Sequence, residues 1–188
     1  MNKLYNFNKP YINPHNINTP MCGSEYFYNI SKIYPYPFGV NVTMYDSEFS
    51  KQSVMFDDYG PEPFVVNIDE ATKQNNAFRR ALWTGDNLQV TLMSIEVGED
   101  IGLEVHPELD QFIRIEEGSG ITKMGDNKDN LNFQKDVYDD FAFIIPAGKW
   151  HNLINTGDKP LKLYSIYAPP QHPKGTIHET KADAEASE

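Results

Sequence analysis

Along most of the chain, apolar and polar residues alternate with a period of two, in short runs broken by turn residues. That period sends successive side chains to opposite faces of a strand. The runs are "FRRALWT" (78–84), "LQVTLMSIEV" (88–97), "IGLEVH" (101–106), "DQFIRIEE" (110–117), "GITKMG" (120–125), "FAFIIP" (141–146), "WHNLIN" (150–155) and "LKLYSIYA" (161–168). The breaks "TGDN", "GED", "PAGK" and "NTGDKP" carry the residues that suit turn conformations. A further run, "FVVNI" (64–68), predicts a short strand, and "DEATKQN" (69–75) predicts one or two helical turns with Asp69 as N-cap. "GDNKDNLNFQKD" (125–136) reads as a polar loop. About eight or nine short strands at this spacing predict an all-β sandwich or barrel. A parallel α/β sheet would need a helix between strands, and there is no room for one.

The two ends of the chain break the pattern. Residues 1–60 are rich in Asn, Tyr and Pro, with five prolines between residues 10 and 37, which discourages regular structure. Their aromatics argue against simple disorder, so this segment reads as an extended N-terminal arm that packs on a neighbour or on its own domain. Residues 61–170 form the β-barrel. Residues 171–188 begin with prolines and end in a helix-prone acidic tail, expected to be partly mobile, with His172 and His178 in solvent.

Charge narrows the function. The formal net charge is −11, which argues against nucleic acid and against anionic membranes as partners. Cys22 is the one cysteine in the sequence, which excludes an intramolecular disulfide and a zinc finger. Residues 1–15 hold no apolar run of signal-peptide type and no stretch approaches a membrane span, so the expected location is cytoplasmic.

Candidate chemistry concentrates in "GLEVHPELDQFIRIEEG" (102–118). Glu104 and His106 share strand parity and point into one cavity. A break follows at Pro107. Gln111 opens the next strand, and if it faces inward so do Ile113 and Ile115, while Arg114 faces away. Apolar walls around a polar cluster describe a ligand site at a barrel mouth. About forty residues on, "IPAGKWHNLINTG" (145–157) places His151 at the start of another strand, with Leu153 inward beside it. Arg79 and Arg80 could hold an anion, but adjacent strand residues face opposite ways. On the last strand, Lys162 shares parity with Tyr164 and prefers water, so Tyr167 is the better cavity candidate. Trp83 and Trp150 read as core or interface.

Together these residues resemble the cupin superfamily. Its first motif runs G-x5-H-x-H-x3-4-E-x6-G and its second G-x5-P-x-G-x2-H-x3-N. Pro146, Gly148, His151 and Asn155 match the second, with Asp140 where Gly is usual. Glu104 stands at the first His position, His106 at the second, Gln111 where Glu is usual, and Gly118 six residues further on. The resemblance covers about residues 78–170. It implies a double-stranded β-helix (jelly-roll) barrel and a metal bound by Glu104, His106, Gln111 and His151. The segment also looks like small bacterial single-domain cupins often labelled mannose-6-phosphate isomerase-like. Two imidazoles, a carboxylate and an amide oxygen suit one divalent ion: Zn, Mn, Fe, Ni or Co.

Three functions fit. The first is a metal-dependent enzyme acting on a small carbonyl or sugar-like substrate, of isomerase, lyase or dioxygenase type, with Glu104 as ligand or general base and Tyr167 in the cavity. The second is a small-molecule-binding protein without turnover. The third is an assembly protein that docks through the Tyr-rich arm. Because cupins commonly pair, and an arm can cover a sheet edge, a homodimer is expected.

Overall fold

The computed structural model describes residues 54–187. The expected arm therefore lies, for residues 1–53, outside the described residues. The eight alternating runs all form strands, and two more arise outside them, giving ten among the described residues: β1 (Arg79–Thr84), β2 (Gln89–Ile95), β3 (Glu104–Val105), β4 (Asp110–Glu117), β5 (Ser119–Gly125), β6 (Phe133–Tyr138), β7 (Ala142–Ile145), β8 (Trp150–Asn155), β9 (Leu161–Ala168) and β10 (Ile177–His178), of which β6 and β10 are the two outside the runs. They make two antiparallel sheets, one in the order β10-β1-β2-β9-β4-β7 and the other in the order β3-β8-β5-β6. This is the double-stranded β-helix that the sequence led us to expect.

The apolar core lies where the inner faces meet. Ile95, Ile113, Ile115, Leu153, Leu161 and Leu163 are at most 1% exposed. Parity holds along the central strands: Gln111, Ile113 and Ile115 face in on β4, His151 and Leu153 on β8, and Leu163, Ser165 and Tyr167 on β9.

The outer face of the larger sheet is covered as well. Leu82 and Leu92 pack with Ala71 of helix α1 (Ile68–Gln74) and with Val54, Phe56, Phe64 and Val66. This layer corrects three expectations. Residues 64–68 join no ladder; 64–67 are extended chain from which Phe64 and Val66 pack onto the sheet while Val65 is exposed, and Ile68 opens α1. The cap of α1 is Asn67, not Asp69: its side chain accepts the amide of Glu70, and Asp69 lies inside the first turn. Lys162 faces outward as parity demands, yet is 7% exposed because the α1 segment covers it. Its ammonium donates to the Asn75 carbonyl and to Asn76 Oδ1.

Two further differences concern strand ends. β6 occupies the latter part of the stretch read as a polar loop. It is an edge strand with five of six residues exposed, so its composition carries no burial signal. β3 has two residues where six were expected. The tail is tied back onto the barrel: β10 pairs with β1, and helix α2 (Lys181–Glu185), closed by a Thr180–Asp183 capping box, buries Ala184.

Candidate metal centre

Register brings the site together. In the β3–β8 pair, Glu104 stands opposite His151, so two side chains forty-seven positions apart become direct cross-strand neighbours. His106 follows β3 at the turn to Pro107. Its carbonyl accepts the Gly148 amide at 2.8 Å, which ties the two sequence motifs to each other. Gly148 takes φ 79, a conformation that costs glycine little. Asp140, in the position where the motif usually has glycine, is left-handed too, at φ 71; Asp tolerates this better than most residues.

One ligand atom from each of Glu104, His106 and His151 lies within 4.8 Å of the other two. Glu104 Oε2 is 3.5 Å from His106 Nε2 and 3.9 Å from His151 Nε2. The far sides of the ligands are held. Arg79, 2% exposed, donates to Glu104 Oε1 at 2.9 Å. His151 Nδ1 is 3.0 Å from the Lys149 carbonyl, which assigns the proton to Nδ1 and leaves the Nε2 lone pair facing Glu104.

Electrostatics keep Glu104 and His151 in ligating form. Burial pushes the Glu104 carboxyl up, but its close approach to His106 and the Arg79 charge outweigh it and hold the group below its ordinary value. Burial lowers His151, against the opposing pull of its Lys149 bond and the Glu104 charge, so its imidazole is neutral. Both Nε2 atoms are buried without a well-formed hydrogen bond among the described residues. Such orphaned acceptors are costly unless something occupies them, and a divalent cation is the partner this donor set fits. Ligand atoms around such an ion lie about 3–3.5 Å apart, so a small inward shift closes the set.

Gln111 faces in, 2% exposed and opposite Tyr167 on β9. Its Nε2 donates to Ser165 Oγ at 2.8 Å, and its buried Oε1 has no partner among the described residues. Tyr167 is 1% exposed, with its ring edge-on to His106 at 5.8 Å; burial pushes its phenol up. Tyr164 lies on the opposite face beside Phe112. Asn155 is structural: it donates to the carbonyls of Ile95 and Lys159 and accepts from Gly157.

A cavity of about 530 Å³ opens beside Glu104 and His106, walled also by Arg79, Leu103, Val105 and Trp150 and by the tail; His151 and Tyr167, the latter expected in the cavity, lie behind this lining. Three site residues were missed in the sequence. Arg79 was left undecided between the two arginines; its parity with buried Ala81 was the available signal. His172 was placed in solvent, but it lines the cavity with its ring edge-on to Tyr167 at 5.2 Å. Gln89 was not singled out, and no local pattern marks it.

The family profile described as the cupin domain matches residues 91–167. Among curated relatives, YrkC from Bacillus subtilis (strain 168) is 68% identical over 140 residues, covering 74% of this chain and 75% of that protein. L612 from Acanthamoeba polyphaga mimivirus is 44% identical over 115 residues, covering 61% of this chain and 70% of the relative. The crystal structure of BH2720 from Bacillus halodurans is 72% identical, covers 69% of this chain and 98% of that one, and superposes with a TM-score of 0.69. With both motifs in register, two antiparallel sheets around a buried His/Glu cluster, and these relatives, the chain belongs to the cupin superfamily.

Proposed function

We propose that Glu104, His106 and His151 hold one divalent metal ion and that the protein acts on a small polar carbonyl or sugar-like molecule in the adjoining cavity. The observation that carries this reading is the convergence of two buried imidazole Nε2 atoms and one carboxylate oxygen. Two histidines and a carboxylate with open positions form a set used for Fe(II), and the same donors take Zn, Mn, Co or Ni. Gln111 fits as a weaker neutral ligand through Oε1, since its amide nitrogen is engaged by Ser165.

When bound, the ion supplies Lewis acidity toward a substrate oxygen. The chain's own residues do the positioning. Arg79 engages Glu104 Oε1 and leaves Oε2 toward the histidines. With its carboxyl held low, Glu104 is suited to ligation more than to taking a proton. Tyr167, kept neutral by burial, backs His106 as a rigid wall.

The test is elemental analysis of protein purified without a His-tag or chelator, beside the His106→Ala/His151→Ala double variant, with circular dichroism to confirm its fold. Near-stoichiometric metal in the wild type, lost in the folded variant, is the expected result. No metal in either protein and none bound on titration would overturn the reading. A second reading, ligand binding without turnover, draws on Gln111 standing where a carboxylate is usual. It predicts a ligand that raises the melting temperature and is recovered unconverted.

A further inference from the structure

Half of the cavity wall comes from the tail, which the metal reading leaves without a role. Gln171, His172, Pro173, Thr176, His178 and Ser187 line the same cavity as Glu104 and His106. The tail is held there by many bonds. Across the β1–β10 pair, His178 stands opposite Arg79. Ala81 donates to the Thr176 carbonyl, and Phe78 to that of Glu179.

His172 is clamped at its backbone. Gln89, fully buried on β2, donates to the His172 carbonyl at 2.9 Å and accepts the amides of His172 at 3.0 Å and Gln171 at 3.3 Å. Its amide nitrogen also donates to Thr84 Oγ1, so the clamp is itself oriented. The His172 ring rests against Tyr167, which in turn contacts His106. His172 Nε2 is buried and has no hydrogen-bond partner among the described residues. A buried ring nitrogen without a partner costs stability, unless a ligand completes it.

Charge indicates the kind of ligand. The sequence has 27 Asp and Glu residues, yet Glu104 is the one carboxylate among the described residues lining this cavity, and it faces Arg79. With a divalent ion on the centre, the cavity carries two positive charges in excess. In a partly desolvated site that excess favours a counter-anion over a neutral polyol.

We propose that His172 is a ligand-binding residue, donating from Nε2 to a small carboxylate anion whose other oxygens meet the metal centre. The inference rests on the metal reading and narrows its substrate class from sugar-like molecules to small carboxylates. Full-length protein is loaded with Mn²⁺, its metal content is measured, and it is titrated calorimetrically with lactate and malonate, and with glycerol and mannose as neutral counterparts. The carboxylates should bind at least about tenfold more tightly than the polyols. His172→Phe, which keeps a ring against Tyr167, should weaken carboxylate binding about tenfold with Mn²⁺ content unchanged, and His172→Gln, which restores a donor, should recover part of the loss. Metal bound with no preference for carboxylates, or with equal affinity in wild type and His172→Phe, would overturn this proposal and leave the metal reading standing. No metal bound would overturn the metal reading, and this proposal with it.

Discussion

The two ends of the barrel interior share the same strands and differ in chemistry. At one end, β4, β8 and β9 contribute Gln111, His151 and Tyr167; further along the same inward rows they contribute Ile113 and Ile115, Leu153, Leu163 and Leu161. The aliphatic end is closed, and its residues satisfy one another by contact alone. The polar end is buried too, yet it holds acceptors with no partner among the described residues. Strand parity decides what faces inward, while position along the strand decides whether that interior is packed or poised for a ligand. Substitutions at the aliphatic end should therefore cost stability alone, and those at the polar end should cost binding as well.

The largest effect tests the packed end. Leu163→Ala, at a site with no exposure, should cost about 2–5 kcal/mol in urea unfolding, with metal content unchanged. A metal loss there would show that the two ends are not separable. Next comes Glu104→Gln, which removes the carboxylate facing the buried Arg79 charge. It should cost about 3 kcal/mol and abolish metal binding, the reverse pattern in the metal readout.

Acid should act on the polar end. Burial, then the Arg79 charge, lower His172 from 6.5 to about 3, and burial lowers His151 as well. Both are neutral when folded, while the unfolded chain protonates them near 6.5. Their contribution is thus fully present above that pH and is lost as pH falls below it, for His172 down toward about 3. Glu104, also lowered, adds a loss below its ordinary 4.5. Urea midpoints taken from pH 7 downward should fall, and His172→Gln should flatten the curve; an unchanged slope would place the acid sensitivity elsewhere. The smallest effect is the control: Lys159→Ala removes a surface pair with Glu117, 46% and 36% exposed, and should shift the midpoint by less than about 0.5 kcal/mol.

What was legible in the sequence follows from range. Period-two alternation marked β4, β8 and β9 to the residue, because strands buried on one face must alternate. The same parity set Gln111, His151 and Tyr167 inward and Tyr164 outward. Edge strand β6 escaped notice because exposure on both faces erases alternation. Residues 64–68 looked like a strand because apolar residues that pack sideways onto a sheet have the same composition as residues within one. Lys162 was expected in water because a sequence does not show what covers an outward face.

The site divides in the same way. Local spacing paired Glu104 with His106 on one face of a strand, and the resemblance to the cupin motifs joined Gln111 and His151 to them; the register of β3 with β8 brings Glu104, His106 and His151 together. The tertiary structure decided which groups complete them: Arg79 on the Glu104 carboxylate, the Lys149 carbonyl behind His151, and Gln89 clamping His172 over the mouth. The Arg79, Gln89 and His172 contacts join residues far apart in the chain, whose proximity depends on sheet order and on the return of the tail along β1. Periodicity along a chain encodes which way a side chain points, and only the assembled sheets determine what it meets.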